Sequence, residues 1–267
     1  MSGDDAAAHR RAPARLREAR QAFWASEWSL SCLLVFLVVT VFVAEPLIAV
    51  GPVGHAVLGL VFSAVLVTGI IAVAKSRTVA IAFGSVAIAS VAIHWVHYAT
   101  KDPALDALNA IGTLIACGML AAIVLVQVFR EGSITLHRVQ GAICVYLLLG
   151  MMWAAIYALI FVHDPNAFDF GRTGTPTSAI RARVRFVYFS LTTLTTVGYG
   201  DITAVSPIAR SMAMLEAVTG QLFPAILIAR LVSMELYYRQ RRFEREQAAL
   251  DRDALAHEVA RVLREQG

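Results

Sequence analysis

The stretch LTTLTTVGYGD, Leu191 to Asp201, lies between two long apolar runs and holds four threonines, two glycines, one tyrosine and one acid. It pairs no nucleophile with a base and offers no set of metal ligands, so no catalytic residue is expected in it. Its chemistry is that of the backbone. In the pentapeptide Thr196 to Gly200, Gly198 and Gly200 accept backbone angles that bring successive carbonyls to one side. Copies arranged around an axis would stack rings of carbonyl oxygens, with the Thr196 hydroxyl closing the lowest ring. Such rings can replace the water around a dehydrated cation.

A site made of backbone has to be carried to its place. Residues Arg185 to Leu194, RFVYFSLTTL, read as a helix of about ten residues, ~15 Å long, half the depth of a bilayer. The polar stretch HDPNAFDFGRTGTPTSAI precedes it, and Pro207 opens the next apolar run at a favourable first helical position. A short helix going in and an extended strand coming back make a re-entrant loop. Irregular backbone at that depth is tolerated where it is buried in protein or lines an aqueous path. The C-terminal end of the short helix would place partial negative charge where a cation waits.

The heptapeptide TTVGYGD, complete at 195–201, resembles the signature of the tetrameric potassium channel family. The resemblance implies a pore module of outer helix, pore helix, filter and inner helix over about residues 139–235, assembled as a homotetramer. It implies potassium ions bound at Thr196, Val197, Gly198 and Tyr199, with Gly200 completing the filter and Thr195 and Asp201 supporting it. Tyr188 stands where the family often has an aromatic residue that bonds to the acid after the filter, here Asp201, a charge-assisted bond. Thr192 occupies a position that is acidic in some relatives, which puts a carboxyl-based inactivation device there in doubt. Gly220 follows Asp201 by 19 residues, similar to the spacing of the family's gating glycine. Pro224 removes a backbone hydrogen bond and should loosen or kink the helix. A packing glycine and a static kink are the alternative readings. Arg185 is near the position of a family arginine that contacts lipid. It and Arg183 are also candidates to pair with Asp164 or Asp169.

The rest of the chain fits a membrane setting. Of 267 residues, 58% are apolar and 16% charged, and the charges fall mostly outside long uncharged runs. About 20 apolar residues span ~30 Å of hydrocarbon as a helix. Runs near 28–49, 54–74, 78–98, 105–129, 139–162 and 207–234 give six spans of an all-α membrane protein. With both termini in the cytoplasm, 17 of the 23 lysines and arginines lie inside, which sets the orientation in the plasma or inner membrane. Residues 1–27 read as a cytoplasmic or interfacial helix, not a signal peptide. Residues 28–130 form a four-helix membrane domain, and 131–235 the pore domain. Residues 236–267 read either as a solvated helix continuing the sixth span or as a coiled coil, with Leu236, Phe243 and Leu250 seven apart.

Six spans with the pore last look like the voltage-gated architecture, but the fourth run carries no arginine before Arg130. A voltage sensor needs gating charge in that span, so strong voltage dependence is not expected. Glu216 is the acid inside the sixth span, a functional candidate by its place in the membrane, with Ser190, Thr192 and Thr193 as candidate partners; a structural acid, protonated or hydrogen-bonded, is the alternative reading. Thr219, Gln221, Phe223, Leu227 and Val232 are candidates to line the inner pore. His94 and His97, three apart, could bind metal or sense protons but more often cap an interface. Cys32, Cys117 and Cys144 are expected simply to pack. The leading expectation is a passive potassium channel with potassium ions as its only cofactor and membrane lipids, anionic ones included, and a separate regulatory subunit as candidate partners. The alternative is a non-selective or non-conducting channel-like subunit.

Overall fold

The computed structural model describes residues 29–43, 52–73, 77–100, 102–129, 136–176 and 179–265. The expected helix before residue 28 lies outside them. The elements run α1 (Ser29–Phe42), α2 (Pro52–Val73), α3 (Arg77–Thr100), α4 (Ala104–Val128), α5 (Leu136–His163), β1 (Phe168–Asp169), a 3-10 turn (Gly171–Thr173), α6 (Ala179–Leu194), β2 (Thr203–Ala204) and α7 (Pro207–Glu265). Four of these helices, α3, α4, α5 and α7, are long and apolar enough to cross a membrane; α1 and the apolar part of α2, Ala56–Ala72, are shorter.

Local chemistry sets the boundaries. The Asp102 carboxylate accepts the Ala104 N–H at 2.9 Å, so the Asp-Pro turn both ends α3 and starts α4. Ser206 Oγ accepts the Ala209 N–H at 3.2 Å, and Pro207 follows it, a side-chain cap with proline at the first helical position. From there α7 continues unbroken for 59 residues through Pro224 and into the charged tail. The charged tail is helical along this run, as both readings of it require.

Two cores divide the molecule. Leu33, Leu37, Phe62, Leu66, Phe83, Leu120 and Leu148 are buried together where α1 to α5 meet. Tyr157, Phe168, Phe186, Phe189 and Leu194 form the second, between α5, β1 and α6. Helix α5 contributes to both and so joins the four-helix region to the pore-helix region.

The short helix departs from expectation. It begins at Ala179, not Arg185, and its 16 residues reach ~24 Å. Arg181, Arg183 and Arg185 are good helix formers, and a reading by apolarity alone passed over their turns. A two-residue antiparallel ladder also went unseen: Phe168 pairs with Ala204 and Asp169 with Thr203, tying the loop before α6 to the segment after Asp201.

Candidate functional site: the loop after α6

Helix α6 ends in a reverse turn. The Val197 N–H donates to the Thr192 carbonyl at 2.8 Å and the Thr196 N–H to the Thr193 carbonyl at 2.9 Å, the double bond of a Schellman cap. The residue in the left-handed position of such a cap is usually glycine. Here it is Thr196, at φ 60°. A β-branched residue in that region costs about 1–2 kcal/mol. The hydroxyl at this point is thus kept against local backbone preference.

Positive φ recurs at every second residue: Thr196 at 60°, Gly198 at 50° and Gly200 at 77°. All five residues from Thr196 to Gly200 are exposed on the single chain, Tyr199 at 72%. Nothing lies within 4 Å of where a Cβ on Gly198 or Gly200 would sit, so backbone angle, not crowding, explains those glycines. Thr195 is bonded locally, its Oγ1 donating to the Leu191 carbonyl at 2.6 Å. Thr192 and Thr193 do the same to Phe189, at 3.0 and 2.8 Å.

Behind the loop the packing is dense. The Tyr157 ring meets Phe189 with centroids 5.0 Å apart, and Phe168 meets Phe186 at 4.8 Å. Glu216 is fully buried there. Its carboxyl meets Ser190 Oγ at 2.5 Å and accepts a short bond from the Tyr157 hydroxyl. Ser190 Oγ also reaches the Gly150 carbonyl at 2.8 Å. Of the three partners expected for Glu216, the structure brings Ser190 to it, and it adds Tyr157 on α5, which sequence reasoning missed. Tyr157 had no local signal, since its partner is 59 residues away.

Gly220 has a steric reason to be glycine. A Cβ there would lie 2.0 Å from the Leu194 carbonyl oxygen, because α7 crosses the last turn of α6 backbone to backbone. The Tyr146 hydroxyl donates to that same oxygen at 3.1 Å. Phe223 and Leu227, expected to line an inner pore, instead pack against the first core, Phe223 with its ring 5.8 Å from that of Tyr146.

Tyr188 stacks on Tyr199, rings 6.4 Å apart and 4° from parallel, while Asp201 is exposed. Arg185 donates to the Gly174 carbonyl at 2.5 Å and lies 5.7 Å over the Phe170 ring, bracing the loop before α6. Arg183 does not pair with Asp164 or Asp169. It turns towards α3 and α4, against Asn109 and His94. His97, expected as an interfacial cap, is buried and pairs with Asp106 at 2.6 Å.

Residues 166–236 match the Ion_trans_2 family model, described as an ion channel. The matched span takes in β1, α6, the exposed loop, β2 and the first half of α7. It supports an ion-channel domain in a multi-pass helical membrane protein, and it points away from an enzyme. The chain is also similar to Protein LctB of Bacillus caldotenax, 29% identical over 122 residues, which is 44% of this chain and 87% of that protein. It is 37% identical to Protein LctB of Geobacillus stearothermophilus over 90 residues, 32% of this chain and 62% of that one. That name states no activity. No solved structure matches the chain.

Proposed function

We propose that the chain is one subunit of a homotetrameric channel that passes potassium selectively through Thr196 to Gly200. The observation that carries this reading is the alternation of positive φ at Thr196, Gly198 and Gly200 on an exposed strand. Alternating handedness turns successive peptide planes the same way, so the carbonyls of one strand can face one axis. Four strands around that axis give stacked oxygen rings that coordinate a dehydrated cation. A single chain leaves Val197 53% and Tyr199 72% exposed, surfaces that neighbouring copies would cover.

In this reading α1 to α5 and α7 make six spans, with both ends of the chain in the cytoplasm and the protein in the plasma or inner membrane. Helix α6 and the loop re-enter between the fifth and sixth. Helix α4 carries no gating charge along its length, so the pore is not voltage-driven. Asp201, Thr195 and the stacked Tyr188 and Tyr199 brace the filter. Gly220, with Pro224 one turn on, is the place where α7 would bend if it opens the pore, and Arg185 is the contact for anionic lipid.

Purified protein in liposomes tests the proposal by potassium flux against sodium flux. Potassium should pass at least roughly tenfold faster, as expected for about 1.4 kcal/mol or more of discrimination. Equal rates, or a monomer in the bilayer, would refute it.

A further inference from the structure

Glu216 is fully buried where α5, α6 and α7 meet, and its polar contacts fix a hydrogen count. Three oxygen–oxygen contacts form a chain there. The Tyr157 hydroxyl meets Oε2, Ser190 Oγ lies 2.5 Å from Oε1, and the same Oγ lies 2.8 Å from the Gly150 carbonyl. Each contact needs one hydrogen between its two oxygens. A hydroxyl carries one hydrogen, and a carbonyl or an ionised carboxyl carries none. Tyr157 and Ser190 therefore supply two hydrogens for three contacts. With Glu216 ionised, Ser190 serves either the carboxylate or Gly150, and the other pair is two acceptors face to face. A hydrogen on Oε1 removes the shortfall: Glu216 donates to Ser190, Ser190 to Gly150, and Tyr157 to Oε2.

Charge points the same way. Among the described residues no arginine, lysine or histidine stands within ion-pair distance of Glu216. A bare carboxylate buried in a helix apolar enough to cross a membrane is costly. The ionisable groups that α5 brings near it are two tyrosines, Tyr157 and Tyr146. Helix α6 meets it with Ser190, and the arginine nearest to that serine in sequence, Arg185, is bonded to the Gly174 carbonyl. The chain of contacts also has no slack. A Cβ on Gly150 would lie 2.8 Å from Leu191 Cδ2, so α5 and α6 already touch beside the Ser190 contact.

We propose that Glu216 is a neutral carboxylic acid that donates through Oε1 to Ser190, and that in this form it is a positioning residue for the loop Thr196–Gly200. Ser190 lies about one turn before the end of α6. The Thr192 carbonyl, two residues on, accepts the N–H groups of Val197 and Gly198. Whatever fixes α6 about its axis at Ser190 therefore fixes where those two residues start. The order of donation, from α7 to α6 to α5, ties three helices together and adds no fixed charge behind the carbonyl rings. The role in placing the loop rests on the channel reading; the hydrogen on Glu216 does not.

The test of the hydrogen is an infrared difference spectrum of the full-length protein in liposomes, wild type minus Glu216→Gln. Ordinary carboxyls titrate near pH ~4, so at about pH 7 they are ionised and a carboxylic-acid carbonyl band that Glu216→Gln removes belongs to Glu216. Tyr157→Phe should move that band to higher frequency, because Oε2 loses its donor. No such band in the wild type, or a band that Tyr157→Phe leaves in place, overturns the inference. The positioning role is read from potassium flux against sodium flux. Glu216→Gln keeps a neutral donor and acceptor and should hold the wild-type selectivity within about twofold. Ser190→Ala should lower it roughly tenfold, the scale of one buried polar group left unpaired. Lost selectivity in Glu216→Gln, or full selectivity in Ser190→Ala, overturns that role. Should Ser190→Ala fail to assemble in detergent, Glu216→Gln decides. A wild type with the band but without potassium-selective flux overturns the channel reading and the placing of the loop, and supports the hydrogen on Glu216 alone.

Discussion

The two sides of the loop after α6 are built on opposite rules. Behind it, Tyr157, Ser190 and Glu216 are buried and bonded to one another across three helices, and aromatic rings fill the space between. In front, Thr196 to Gly200 are exposed, and two glycines and a threonine hold positive φ, with nothing within 4 Å of a Cβ built on either glycine. One chain completes the back by itself. The front is left open to solvent on the single chain. Substitutions behind should therefore damage the assembled protein, while those in front should leave a folded oligomer with altered conduction.

The sharpest test of that division is Gly220→Val. With a Cβ 2.0 Å from the Leu194 carbonyl, α7 cannot keep its crossing, and folded oligomer in detergent should be lost. Recovery of a normal oligomer with normal flux would show that the crossing is looser than its geometry. Gly198→Ala comes next, from the front. An alanine at φ 50° costs about 1–2 kcal/mol per chain, and the proposed tetramer carries that cost four times. The oligomer should persist and potassium-over-sodium selectivity should collapse. A collapse of the oligomer instead would erase the distinction between the two sides.

Smaller effects refine it. Tyr157→Phe removes a donor to the buried Glu216 while keeping the ring. Thermal stability should drop by about 1–2 kcal/mol, the scale of an interhelical hydrogen bond in a membrane, with selectivity unchanged. Arg185→Gln gives up the bond to Gly174 and the contact over Phe170 at an exposed position. Its cost should stay near ~1 kcal/mol or less, visible as a small shift in melting temperature.

Much of this was legible in the chain. Glycine and threonine spacing marked the loop because backbone angle is a local property, and apolar run length set α2 to α5 within about three residues at either end, while α1 stops at Phe42, short of its run to residue 49. What stayed hidden depends on residues far apart. Helix α6 starts six residues before Arg185 because arginines hide a helix from a search for apolarity, and one of them, Arg183, points into protein. The choice of Ser190 over Thr192 or Thr193 for Glu216 depends on how α6 is rotated, and all three hydroxyls sit on one short stretch. Gly220 showed its spacing but not its contact, since the carbonyl it abuts belongs to another helix. Phe223 and Leu227 were misplaced for the same reason: sequence does not fix which face of α7 turns inward.

The unbroken run of α7 has a mechanical corollary. From Gly220 to Glu265 is 45 residues, ~67 Å as a straight rod, more than twice the thickness of the hydrocarbon layer. A swing of about 5° at the Leu194 crossing would carry the far tip sideways by about 6 Å. The long arm gives whatever touches that tip a mechanical advantage over the crossing, so a weak sideways force there becomes a large torque beside the loop.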